Sequence, residues 1–160
     1  MRPPRLLLLG ALALLGSCGF HLQGRTPLPA VVKTPYLEVP DPQTDFVQSL
    51  RHDLLANGVE LARDRTQSSA VISVLADAVT RKVVSVSARN QPNEYEVTYT
   101  VRLSVTAGER ELLKDQELTA TATYSFSEPL LLAKGHEEDI LRADMARDLA
   151  QRVMRLLSRL

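Results

Sequence analysis

Few side chains in this sequence of 160 residues are equipped for chemistry, and their placement narrows what that chemistry can be. His52 stands beside Asp53 and His136 beside Glu137, pairings in which a carboxylate could orient an imidazole as a general base. Neither pair has a nucleophile placed with it in sequence: no Gly-x-Ser-x-Gly turn, His-Glu-x-x-His helix, phosphate loop or Cys-x-x-Cys occurs. His21 lies too far from the other two histidines to form a ligand motif with them, so no metal or other cofactor is expected. Sulfur chemistry rests on Cys18 alone, which excludes an intramolecular disulfide and a zinc cluster. The expectation is a protein that is not an enzyme. Nineteen basic and nineteen acidic side chains balance, leaving no basic field for nucleic acid.

Cys18 has a chemistry of its own. Met1-Arg-Pro-Pro-Arg5 is a short cationic start, and Leu6 to Leu15 is an uncharged run of Leu, Ala and Gly, the two parts of a secretory signal. As a helix this run would span about 15 Å, roughly half a hydrocarbon core, which argues against a permanent transmembrane anchor. Leu15-Gly16-Ser17-Cys18 then has the form of a bacterial lipobox, in which small residues let the thiol be diacylated and the chain be cut just before it. On this reading residues 1–17 are a signal peptide and Cys18 is the lipidated first residue of the mature chain. Several acyl chains anchor a protein stably where one does not. Gly19 rather than Asp after the cysteine points to sorting to the outer membrane. Cleavage removes Arg2 and Arg5 and leaves a formal charge of −2 on the rest.

The elements beyond the leader follow from breakers and periodicity. Gly24, Pro27 and Pro29 make residues 18–30 an extended tether, and residues 31–160 read as a single α+β domain. Val31 to Val39 is a strand candidate that Pro35 assigns to an edge. Thr44 or Asp45 can cap a helix of about twelve residues with Phe46, Val47, Leu50, Leu54 and Leu55 on one face, stopped by Asn57-Gly58. Val71 to Ala88 alternates, with Ile72, Val74, Ala76, Ala78, Val84 and Val86 against Ser73, Asp77, Arg81, Ser85 and Ser87. After the turn cluster 88–93, Tyr95 to Val105 alternates without a fault, and Ala107-Gly-Glu109 makes a hairpin gap. A third long strand carries Leu112, Leu118, Ala120, Ala122, Tyr124 and Phe126 on one parity. Glu128-Pro129 opens a helix of roughly twenty-four residues with a stripe of Leu141, Met145, Leu149, Val153, Leu156 and Leu160.

These elements assemble as a two-layer α+β sandwich, two helices packed on one face of a mostly antiparallel four-stranded sheet. The other face offers Ser85, Ser87, Thr98, Thr100, Ser104, Thr119, Thr121 and Thr123, polar and mostly uncharged. Such a face suits open solvent, and equally a wet enclosure such as a barrel lumen.

The start Cys18-Gly-Phe-His-Leu-Gln-Gly24, Arg89-Asn90 leading to Glu94-Tyr95, and Pro129-Leu-Leu-Leu-Ala-Lys134 before Glu137-Glu138 and Ile140-Leu141 together resemble the lipopolysaccharide-assembly lipoprotein family LptE. The resemblance runs in order from lipobox to final helix. It implies an outer-membrane lipoprotein on the periplasmic side, sitting one-to-one as a plug in the lumen of the large β-barrel LptD. That protein would help the barrel fold and assist delivery of lipopolysaccharide to the cell surface. It also implies that the basic residues matching the family's lipid-contacting positions, Arg89 and Lys134, meet the anionic lipid. The alternative reading is an auxiliary or pilot lipoprotein of another envelope transport system, which would share leader and layout.

Cys18→Ala is expected to yield unlipidated, mislocalised or uncleaved protein. Intact mass spectrometry checks this, and a normal acylated mature mass in the variant would defeat the lipobox assignment.

Overall fold

A computed structural model describes residues 27–125 and 131–160, with side chains from residue 138 onward in the second of these segments. A short 3-10 turn, Ala30–Val32, leads into strand β1, Pro35–Glu38. Helix α1, Asp45–Ala56, follows, then a second 3-10 turn at Arg65–Gln67. Three long strands come next, β2 at Ala70–Val86, β3 at Pro92–Ala107 and β4 at Arg110–Ser125. Helix α2, Leu131–Leu157, closes the chain. The sheet order is β1-β2-β3-β4, with β1 parallel to β2 and the other pairs antiparallel. The four-stranded α+β sandwich read from the sequence is therefore the fold.

Local chemistry explains the clean boundaries. Thr44 caps α1 by accepting the Val47 N–H at 3.2 Å, and Asp45 adds a negative charge to the first turn. At the other end Gly58 takes φ +82°, the Gly58 N–H reaches Leu55 O and the Val59 N–H reaches Leu54 O. That pair of bonds is a Schellman motif, and the apolar contact that usually accompanies it is supplied by Leu54 and Val59, both buried. Pro35 begins β1 at the sheet edge, where its missing N–H costs no ladder bond. The chain just before it, expected as strand, is instead the 3-10 turn. Between β3 and β4, Gly108 at φ +59° occupies the first central position of a two-residue turn, a place where glycine is favoured.

The helices cover one face. Phe46, Val47, Leu50 and Leu54 of α1 and Met145, Ala146, Leu149, Ala150, Val153, Met154 and Leu157 of α2 meet Val97, Tyr99, Val101, Leu103 and Val105 of β3 in one core. Leu55, expected on the apolar face, is 54% exposed because nine residues of helix place it about 180° around from Phe46. In α2 the expected stripe omitted Ala146, Ala150, Met154 and Leu157, all buried. The expected strand end at Phe126 and helix opening at Glu128-Pro129 lie outside the described residues.

Strand β2 departs most from simple alternation. Ile72 pairs with Val105 and Val74 with Leu103, but the next pair is Ala76 with Arg102, so Leu75 is an extra residue. Such a bulge turns everything beyond it over. Asp77, Val79 and Arg81 then lie opposite the inward Val101, Tyr99 and Val97, while Ala76 and Ala78 join the open face beside Arg102 and Thr100. The expectation of Ala76 and Ala78 inside with Asp77 and Arg81 outside is thereby reversed. A related irregularity in β4, with Asp115 at φ +38°, brings Leu113 rather than Leu112 opposite Val105. Because β1 pairs only with Ala70–Ser73, the edge of β2 from Val74 onward is unpaired among the described residues. Leu75, Val79, Val83, Val84 and Val86, all exposed, lie along it.

The inverted Asp77 joins helix to sheet. It accepts the Thr44 hydroxyl at 2.5 Å and is hydrogen-bonded to the Tyr99 hydroxyl, which itself accepts the Phe46 N–H at 3.2 Å. Burial, followed by the Asp77 carboxylate, pushes the Tyr99 phenol far above its usual range, so it stays a neutral donor. Tyr99→Phe is expected to lower unfolding free energy by about 1–3 kcal/mol, since it leaves a buried amide and a carboxylate short of a partner. Urea denaturation with an unchanged m-value would record it.

Candidate functional site

The two basic residues that the sequence singled out lie toward one end of the molecule. Arg89 is on the β2–β3 turn, where the Asn90 N–H bonds to Ser87 O at 2.9 Å and the Ser87 N–H to Gln91 O at 2.7 Å. Asn90 adopts φ +58°, a conformation that asparagine accepts more readily than most residues. This tight turn holds Arg89 exposed, with no hydrogen bond or ion pair to another described residue. Lys134 falls within the first turns of α2, one helical turn before Glu138. Cys18 lies outside the described residues.

Glu138 is what brings this end of α2 to the sheet. It takes the Arg81 Nη1 at 2.9 Å and the Tyr124 hydroxyl at 2.6 Å. The Arg81 guanidinium in turn lies over the Tyr95 ring, 4.8 Å from its centroid, and Tyr95 stacks on Tyr124 at 5.7 Å between centroids. Three strands and a helix thus meet in one cluster of charge and aromatic surface. The Glu138 carboxyl is held below its usual range, first by the Tyr124 hydrogen bond and, against the opposing effect of burial, by Arg81. Burial and Glu138 push the Tyr124 phenol up. The sequence marked Glu138 only as part of the family resemblance, and its alternation placed Arg81 on the wrong face. The bulge at Leu75 is what concealed the pairing.

The open face is a ladder of threonines bounded by paired charges. Thr80, Thr98 and Thr121 stand in one register row and Ala78, Thr100 and Thr119 in the next, with the Thr100 and Thr119 hydroxyls 3.5 Å apart. Lys82 pairs with Glu96 at 2.7 Å on one side of this ladder, and Arg102 forks onto Asp115 at 2.8 and 2.6 Å on the other. Glu94, bonded by the Ser85 hydroxyl at 2.7 Å, and Glu117, opposite Arg102, add carboxylates to this face that have no ion pair among the described residues.

Of the histidines, only His52 has a described side chain. Ser49, His52 and Asp53 line a cleft of about 290 Å³ between the helices with Gln48, Arg147 and Gln151. No hydrogen bond joins Ser49 to His52, and burial raises the Asp53 pKa against the opposing charge of His52. His21 lies outside the described residues, and His136 lies in the part of α2 described by backbone alone. Among the described residues no three metal-ligating side chains gather, and no helix is long and apolar enough to cross a membrane.

This geometry has relatives. The family model for LptE, described as lipopolysaccharide-assembly, matches residues 32–157, from the turn before β1 to the end of α2. The chain belongs to the LptE family. An LPS-assembly lipoprotein LptE from Pectobacterium atrosepticum is 32% identical over 154 residues, covering 94% of this chain and 83% of its own length. One from Photorhabdus laumondii is 30% identical with the same coverage. Among solved structures, that of an uncharacterized lipoprotein B from Nitrosomonas europaea superposes with a TM-score of 0.72 at 26% identity, covering 88% of this chain and 90% of that one. The LptE match includes the bulged β2, the β2–β3 turn and the Glu138 end of α2.

The Glu138 cluster makes a pH-dependent prediction. A carboxyl with a depressed folded pKa contributes stability that is complete above its unfolded value, about 4.3, and is lost as pH falls through the lower folded value. Urea midpoints of the wild type are expected to fall on acidification below about pH 5. Glu138→Gln should lower the midpoint at pH 7 and flatten that acid limb. An acid limb as steep as that of the wild type would show that the pair contributes nothing.

Proposed function

We propose that this protein is an outer-membrane lipoprotein, held through lipid on Cys18, which sits one-to-one as a plug in the LptD barrel. It helps the barrel fold and assists lipopolysaccharide to the cell surface. The observation that carries this reading is the LptE family match across the whole sandwich. The surfaces agree with it. An open face of threonine hydroxyls, with Lys82–Glu96 and Arg102–Asp115 paired at its margins, offers many neutral hydrogen-bonding groups to a polar barrel wall. The edge of β2 left unpaired among the described residues, with its exposed valines, offers a second surface that solvent alone does not favour. In this reading the leader would direct the chain to the periplasmic side of the outer membrane, with residues 18–30 as its tether.

Arg89, unpaired among the described residues at the tip of its turn, and Lys134 in the opening turns of α2 are the lipid-contacting positions in this reading. Both give charge-assisted hydrogen bonds to phosphate, the arginine as a fork and the lysine as a point charge.

Purification from mild-detergent extracts of outer membranes through a C-terminal tag is expected to recover one large barrel protein in equal amount. Recovery of other transport components in its place would favour the auxiliary or pilot reading. Arg89→Asp combined with Lys134→Asp is expected to weaken lipopolysaccharide binding at least tenfold while barrel recovery persists. Unchanged lipid binding would reject the roles of these two residues.

A further inference from the structure

Six arginines on the described surface have carboxylate partners: Arg65, Arg81, Arg102, Arg142, Arg147 and Arg152. Arg51 does not. It projects from the middle of α1, half-buried, with its Nε shielded from solvent and bonded to nothing. Arg142 also has an unbonded Nε, but its terminal nitrogens are occupied by Asp45 and Asp139. A guanidinium partly withdrawn from water without a counter-charge is costly, and such a group is matched to an anion that arrives from outside.

The surroundings of Arg51 have the shape for one. It lines a cleft of about 360 Å³ with Tyr36, Leu37, Leu61, Ala62 and Arg63. The cleft is built where the loop after α1 runs along the outer edge of β1, fixed there by the Ala62 N–H donating to Pro35 O at 2.9 Å. Arg63 and the Tyr36 hydroxyl are without hydrogen-bond or ion-pair partners among the described residues. Glu60, the carboxylate next to this loop segment, pairs with neither arginine, and the Glu38 carboxylate is taken by Arg65 and Ser73. Arg51, Arg63 and Tyr36 thus line one opening, and no described carboxylate is paired with either arginine. Leu37, Leu61 and Ala62 supply an apolar wall.

We propose that this cleft is an anion site that takes a phosphate group, held by Arg51 and Arg63 with the Tyr36 hydroxyl as a third donor. Two forks and a hydroxyl offer more donors than a single carboxylate can accept, whereas three phosphate oxygens use them all. The site is distinct from the Arg89 end, because the strand from Ser73, beside β1, to Arg89 spans about 50 Å. The phosphate can be free or carried on a lipid headgroup. The second source is within reach if Cys18 is acylated as proposed above, since nine residues separate it from Pro27, about 30 Å when extended. The site itself does not depend on that reading.

The test uses the full lipoprotein in nonionic detergent, titrated calorimetrically with dihexanoyl phosphatidic acid and separately with inorganic phosphate. Saturable binding is expected, weakened at least tenfold by Arg51→Gln and several-fold by Arg63→Gln, and unaffected by Arg155→Gln, an exposed position on α2. Arg63 lies on an exposed loop, so its variant keeps the test informative should Arg51→Gln fail to fold. Binding of the lipid alone assigns the headgroup as source, and equal binding of inorganic phosphate assigns the free ion. The proposal is overturned if neither probe saturates, or if Arg63→Gln binds both as the wild type does. Loss of barrel recovery with these titrations intact would count against the plug reading and leave this site standing.

Discussion

The hydroxyl of Tyr99 is the point on which the two layers depend. The first amides of a helix have no intrahelical acceptor, and in α1 they face the core, where water is excluded. Tyr99 answers one of them, at Phe46, and Thr44 answers another, at Val47. Both are then held by Asp77 from the neighbouring strand. A polar group this deep is tolerated only because every member of the chain is satisfied. The consequence is positional: the start of α1 is fixed over the middle of β2 and β3, and the apolar packing of Phe46, Leu50 and Leu54 follows from that placement.

A second polar cluster performs the same task for α2. Arg81 and Tyr124 hold Glu138, and the aromatic pair beneath them extends dry packing beyond the reach of the aliphatic core. Both clusters lie on the same side of the bulge at Leu75 and both use a β2 side chain that the bulge has turned inward. Between them they fix where the helices sit over a sheet whose other face stays open. What the helices leave uncovered among the described residues is a hydroxyl-rich face, an unpaired strand edge and a turn that presents Arg89.

What could be read from the sequence divides along the same line. The bounds of helix α1 were legible because its signals are local, a cap at Thr44 or Asp45 and Asn57-Gly58 to stop it, though Leu55 was assigned to the wrong face. Strand β3 was legible because no irregularity on its own side breaks the alternation from Tyr95 to Val105. Strand β2 was not, since apolar residues occupy both parities, Ala76 and Ala78 on one and Val79 and Val83 on the other, and nothing local marks Leu75 as the extra residue. Arg89 could be found as a basic residue in an obvious turn. The Arg81–Glu138 pair spans fifty-seven positions and depends on the inversion, so composition and spacing held no trace of it. Arg51 escaped notice for a related reason, because an arginine on an amphipathic helix reads as ordinary until its missing partner is seen.

Leu75 itself carries a lesson about how such a chain can vary. Its side chain is half exposed and belongs neither to the core nor to the residues packed against it. Many residues could stand there with little effect on the fold. Removing the position altogether is another matter, for the strand would return to strict alternation and carry Asp77 and Arg81 out to the open face. Leu75 is a residue whose presence matters and whose identity does not, a spacer in the literal sense. Among descendants of this sequence, tolerance of exchange at that position and intolerance of length change around it would go together.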